Sequence, residues 1–128
     1  MTKTIKTKSE VEVTVIAEIA TNITVIGKKN WDWKKAALAA STLLHITVGE
    51  YDCIINWQEV KEDDCSSDGS DWEINVKAEV ITYVSGISAD NWKQAADKAL
   101  QVAQDNLEII SGLDVSIDWQ PITEDMVN

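Results

Sequence analysis

The sequence predicts an α+β sandwich, a four-stranded antiparallel sheet with two helices on one face, built from an internal βαβ repeat. Two observations carry this. Three sequence blocks recur in the same order along the chain, and each half alternates apolar segments of period two with segments of period 3.6. Glu12-Val-Thr-Val-Ile-Ala-Glu-Ile19 matches Glu73-Ile-Asn-Val-Lys-Ala-Glu-Val80 without a gap. Asp32-Trp-Lys-Lys-Ala-Ala37 then matches Asn91-Trp-Lys-Gln-Ala-Ala96, and Asp52-Cys-Ile-Ile-Asn-Trp-Gln58 matches Asp114-Val-Ser-Ile-Asp-Trp-Gln120.

The elements follow in order. Val11, Val13, Val15, Ala17 and Ile19 alternate with Glu12, Thr14, Ile16 and Glu18, the pattern of a half-buried strand. The alternation runs on through Ile23 and Val25 to Gly27. A straight strand of that length would reach ~50 Å at about 3.3 Å per residue, so a bend or bulge is expected near Ala20–Asn22. The first helix is expected from an Asn30 N-cap to about His45, with the stripe Trp33, Ala36/Ala37, Ala40, Leu43/Leu44 and with Gly49 beyond its end. A strand over 51–60 closes the first half, about 11–60. An acidic loop over 59–71 holds six carboxylates and one Lys.

The second half, about 72–122, opens with a strand from Glu73 to about Val84 that stops at Ser85-Gly86. Its helix starts after Ser88, with Asp90 near the positive end, and stops before Gly112. The stripe there is Trp92, Ala95/Ala96, Ala99, Val102/Ala103, Leu107 and Ile110, opposite a fully polar face. A last strand spans 113–122, leaving a basic arm over 1–10 and a tail over 123–128 outside a single domain of 11–122. The order β-α-β-β-α-β resembles the ferredoxin-like plan, which implies a pseudo-twofold axis and implies no function, since that fold hosts many.

Composition narrows the chemistry. The 128 residues carry a net charge of −11, and every basic residue is Lys. With no Arg, a bidentate fork for phosphate or carboxylate is missing. One His and two Cys exclude most zinc sites and the common His-centred mechanisms. No apolar run approaches the roughly 20 residues that a membrane-spanning helix needs. The first ten residues lack the apolar stretch of a secretory signal, so a reducing cytoplasmic location is expected. No nucleophile motif, phosphate loop or metal cluster stands out, and neither enzymatic activity nor a cofactor is expected.

Charge distribution is the main functional clue. Period two places Glu12, Glu18, Asp52, Glu73, Glu79, Asp114 and Asp118 on the face turned away from the helices, with Lys77 as its only cation. The other face then takes Tyr51, Cys53, Ile55, Trp57, Leu113, Val115, Ile117 and Trp119 toward the helices, besides the core of the two long strands. Like charges on adjacent strands destabilise a sheet, so a solvated surface and a surface built to meet cations are the two readings. RNA-binding modules of this plan stack bases on sheet aromatics and attract phosphate, whereas this face repels it and excludes direct nucleic-acid binding. Residues 1–35 carry +3 and residues 36–128 carry −14. Lys28, Lys29, Lys34 and Lys35 gather at the entry of the first helix as a solvated cluster.

In the acidic loop Glu62, Asp63, Asp64, Asp68 and Asp71 join the set of partner-binding candidates, with Trp31 as an aromatic anchor without a repeat equivalent. Asp64, Ser66 and Asp68 fall at calcium-loop spacing before Gly69, but Asn75 stands where a bidentate Glu belongs. Trp57, Trp119, Trp33 and Trp92 occupy paired repeat positions and are expected in the core, as is Trp72. Cys53 is expected in the core, and Cys65 among carboxylates that discourage its thiolate. His45 is expected to pack at the end of the first helix.

Small size and this carboxylate set resemble, at class level, acidic phage-encoded inhibitors of the anti-restriction and anti-CRISPR kind, some of which imitate DNA. The resemblance implies a non-enzymatic protein that occupies a basic site on a partner such as a nucleic-acid enzyme of the host. Two alternatives stay open. One is a small-ligand or cation-binding module using the acidic loop; the other is a structural subunit assembled through sheet edges or helices.

Overall fold

In the computed structural model, residues 10–27, 30–69 and 71–128 are described. The basic arm expected over 1–10 lies outside them apart from Glu10, as do Lys28 and Lys29 of the lysine cluster. The chain is an α+β sandwich. Its elements are β1 (Glu10–Ile26), α1 (Trp33–Leu43), β2 (His45–Val48), β3 (Asp52–Trp57), β4 (Cys65–Asp68), β5 (Asp71–Ser88), α2 (Trp92–Asn106), β6 (Leu107–Ile110) and β7 (Leu113–Trp119).

The main sheet is antiparallel and has five strands, not four. Its order is β3-β5-β1-β7, with β4 following β3 along the same edge of β5. β1 and β5 pair from Glu10↔Ser88 to Ile26↔Asp71, with a single irregularity between Val11 and Val13. Along both strands the apolar residues of one parity are buried: Val13, Val15, Ala17, Ile19, Ile23 and Val25 on β1, and Ile74, Val76, Ala78, Val80 and Val84 on β5. This is the period-two core that the alternation predicts.

Three elements cover that face. α1 packs on Ile23, Val25, Ile74 and Val76 through Ala36 and Ala40. α2 packs at the opposite end, on Val13, Val15, Val84 and Ile87, through Ala95, Ala99 and Ala103. Alanine lets both helices lie close on the sheet. Between them sits a two-stranded ribbon, β2 with β6, whose Ile46 and Val48 close over Ile19, Ala78 and Val80. The repeat therefore reads strand-helix-strand-strand in each half, and the two short strands meet each other near the centre.

That ribbon corrects both helix boundaries. The first helix ends at Leu43 rather than His45, and the second at Asn106 rather than before Gly112. Leu44, Ile46 and Val48 are buried alternately, a strand pattern that outweighs the i, i+3 spacing seen in the sequence. Leu107 and Ile110, read as helix stripe, belong to β6. His45 is exposed at the start of β2 rather than packed at a helix end. The first cap moves as well. Asp32, not Asn30, caps α1, its carboxylate accepting from the Lys35 amide at 2.9 Å. Asn91 does the same for α2, its side-chain oxygen accepting from the Gln94 amide at 2.9 Å, and Asp90 stands just before it, near the positive end as expected. Asp32 and Asn91 are equivalent in the repeat, so the repeat itself marks both caps.

The bend or bulge expected in the first strand near Ala20–Asn22 is not a bulge of that strand; the irregularity at that level belongs to its neighbour. β1 keeps its register against β5 from Val13 to Ile26, whereas its register with β7 shifts between Ala20 and Asn22. The extra residue is in β7, where Asp114 takes a left-handed φ of 51°. Thr21 donates its hydroxyl to the Leu113 carbonyl at 2.9 Å and so holds the bulge in place. Gly112 packs against the same threonine; a Cβ there would stand 2.5 Å from the Thr21 hydroxyl oxygen. β5 does not stop at Ser85-Gly86 but continues to Ser88, passing Gly86 at a φ of 73°.

The edge strands depart from the expected core. Tyr51, Cys53, Ile55 and Trp119 are only half-buried, Trp57 is 47% exposed, and Leu113, Val115 and Ile117 are 58%, 40% and 40% exposed. Parity decides which face a side chain takes, but cover decides burial. Helices and ribbon line up along the central pair and leave the edges bare. At the C-terminus the 123–128 segment folds back. Asn128 and Glu12 exchange backbone hydrogen bonds at 2.8 and 2.9 Å, Val127 bridges Val13, and Val127 is fully buried beside α2.

Candidate protein-binding face

The face turned away from the helices is organised in rows across the strands. Register places Asn56 opposite Glu79, Glu79 opposite Glu18, and Glu18 opposite Asp118. Three carboxylates thus stand side by side on three adjacent strands, at about 4.8 Å per strand. Two amides hold them. Asn56 donates to Glu79 at 3.4 Å and Gln120 donates to Glu18 at 3.2 Å. The next row is Lys77, Ala20 and Ser116; the small Ala20 and Ser116 leave a shallow concavity of about 520 Å³ beside the carboxylates, which Lys77 also lines.

On the other side of the acidic row lies an apolar one, Ile54, Ile81 and Ile16, with Ile54 47% exposed. Beyond it come Asp52, Tyr83 and Thr14. Asp52, Glu12 and Glu50 line a second concavity with Tyr83. The sequence reading named the acids and passed over Ile16, Ile54, Ile81, Tyr83, Asn56 and Gln120. Period two was the signal for the isoleucines; the two amides needed the register.

The structure joins two groups that the sequence kept apart. Pairing of β4 with β5 sets Ser66 opposite Glu73 and Asp68 opposite Asp71, which brings both loop aspartates onto the sheet face beside Glu73. Glu62, Asp63 and Asp64 form a single 3-10 turn before β4. Asp64 is half-buried and its carboxylate accepts from the Lys61 amide at 2.9 Å. Among the described residues, no three His, Cys, Asp or Glu side chains gather as a metal site requires. Asp114 is exposed on the β7 bulge, away from the row.

Trp31 is half-buried against the α1 end of the core with Trp72, rather than standing out as an anchor. Trp72 keeps its indole N–H buried without a partner. The exposed aromatic is instead Trp57, at the end of β3 beside the concavity. Burial pushes the Cys65 thiol up from its ordinary range, and the neighbouring Asp64 and Glu62 carboxylates push it further. Both effects disfavour the thiolate, burial more than the loop carboxylates that the sequence pointed to. No helix is long and apolar enough to cross a membrane among the described residues.

Comparison with protein-family models, with curated proteins and with solved structures finds no match to this chain.

Proposed function

We propose that this chain is a non-enzymatic binding protein whose acidic sheet face occupies a basic site on another protein. The observation that carries the reading is the row Glu79–Glu18–Asp118, three carboxylates in register, with two amides bonded to them and one cation, Lys77, in the next row. Such a row costs stability on its own, at about 0.2–1 kcal/mol per like-charged neighbour. A cationic partner repays that cost. The flanking isoleucine row supplies apolar area that a protein partner buries and a nucleic acid does not, which agrees with the repulsion of phosphate by the rest of the face. The sheet order β3-β5-β1-β7 supports a ferredoxin-like reading of the fold, in which β2, β4 and β6 are additions to the four-strand plan.

By charge the partner is a groove of Lys and Arg, the kind that nucleic-acid enzymes present to phosphates. We infer an inhibitor of DNA-mimic type acting in the cytoplasm, in line with the class-level resemblance to phage anti-defence proteins. The test is capture of partners from a cell lysate by wild-type protein and by the Glu18→Gln/Glu79→Gln variant, at low and high salt, with DNA as competitor. Capture that is lost in the variant, lost at high salt and displaced by DNA supports the reading. Equal capture by wild type and variant would overturn it.

A further inference from the structure

Along β5 the face turned away from the helices changes character every two residues. Lys77, Glu79, Ile81 and Tyr83 follow one another on one parity, and register carries each across the neighbouring strands. Four rows result. The first is Lys77 beside the uncharged Ala20 and Ser116. The second is Glu79, Glu18 and Asp118, and the third is Ile54, Ile81 and Ile16. In the fourth Asp52 supplies the charge, and Glu50 and Glu12 join it around the second concavity. The order along the face is therefore cationic, acidic, apolar, acidic. Ile54 is 47% exposed, and Ile81 and Ile16 are half-buried, so the apolar row still has area to offer a partner.

The dimensions select the partner's secondary structure. Side chains of one parity repeat about every 6.8 Å along a strand, and residues four apart on an α-helix repeat about every 6 Å. The apolar row crosses two strand gaps, about 9.6 Å, close to the width of one helix. Sheet-on-sheet packing needs a broad apolar face, and this one is a single residue deep. A lone extended segment laid here meets only side chains, which leaves its own amides and carbonyls without partners at the interface, whereas a helix satisfies them internally.

We propose that this face receives one α-helix of the partner protein, lying roughly along β1 and β5, which carries an acid, a base, an apolar residue and a second base at successive four-residue intervals. The apolar side chain rests on Ile54 and Ile81, the two bases meet the acidic rows on either side, and the acid meets Lys77. This deepens the protein-binding reading of the face and rests on it. Neither helix of this chain has that order: α1 holds no acid from Trp33 to Leu43, and the two lysines of α2, Lys93 and Lys98, are five residues apart. The occupant is another protein, not a second copy.

Labelled synthetic peptides on an alanine-rich helical host test this by fluorescence anisotropy. One carries Glu, Lys, Leu and Lys at four-residue intervals, the second carries Leu, Lys, Glu and Lys at the same positions, and the third is the first with a central Pro that breaks the helix. The first should bind at least about tenfold more tightly than either of the others. Ile54→Thr, at an exposed position and checked for folding by circular dichroism, should weaken it about fivefold. Lys77→Glu should reverse the preference at the leading position, so that a Lys, Lys, Leu, Lys peptide becomes the tighter ligand. Equal binding of the first two peptides, or tighter binding of the Pro peptide, overturns the proposal. In that case loss of both ligands in Glu18→Gln/Glu79→Gln leaves the acidic-face reading standing, and unchanged binding by that variant removes both. Absence of binding by every peptide also overturns the helix proposal, and the lysate capture then decides the acidic-face reading separately.

Discussion

Glu18 is the residue on which the acidic face turns, because it has a carboxylate opposite it on both sides, Glu79 on β5 and Asp118 on β7. Its replacement by Gln leaves the apolar parity untouched and removes two repulsions. Glu18→Gln should therefore raise stability by about 0.5–1 kcal/mol, read as a higher urea midpoint with an unchanged slope. A lower midpoint would mean that the row is already balanced. Cys65 makes a second prediction at this scale. Its thiol sits above the ordinary range, first through burial and then through Asp64 and Glu62. The folded chain thus keeps that proton to higher pH than the unfolded chain. The contribution to stability is complete at neutral pH, below the unfolded value, and is lost as pH rises through the folded one. Cys65→Ser should flatten the fall of stability on the alkaline side, and alkylation of Cys65 near neutral pH should be slower in the folded protein than in urea.

At the scale of elements, helix caps separate what spacing suggests from what backbone geometry requires. Asn30 and Asp32 are both good capping residue types two positions apart, and only Asp32 receives an amide, from Lys35 at 2.9 Å. Asp32→Ala should cost about 1 kcal/mol in chemical unfolding, and Asn30→Ala close to nothing. The ribbon of β2 and β6 shows why helix ends were harder to place than helix starts. Leu44, Ile46 and Val48 satisfy a strand, while Leu107 and Ile110 also satisfy a helix; the pairing His45↔Ile110 to Val48↔Leu107 decides between them. That pairing links residues about 60 apart in sequence, so no local window contains it. β4 is the same case. Cys65-Ser-Ser-Asp68 has no strand pattern of its own and becomes a strand because β5 extends past the end of β3 and offers it an edge.

For the whole molecule, a net charge of −11 concentrated on one side of a sheet sets how copies meet. Two such faces closed on each other would bury Glu18, Glu79 and Asp118 against their own kind, a desolvation that mutual repulsion only worsens. Cross-linking and light scattering should find no contact through this face. Its row variant Glu18→Gln/Glu79→Gln should leave any self-association unchanged, and a variant that dissociates or newly associates would contradict this.

The chain order of amino acids determined the α+β class, the two-fold repetition, the parity of both long strands and hence the acidic side. All of these follow from short-range periodicity, because a side chain's face is set by its neighbours two residues away. Tertiary structure decided the rest. It turned Leu107–Ile110 from helix to ribbon, left Trp57, Val115 and Ile117 exposed where parity alone promised cover, buried Val127 in the core, and set three carboxylates in one row. Each of these depends on register or on what lies over an edge, and both are properties of residues far apart in sequence that become neighbours only when the strands pair.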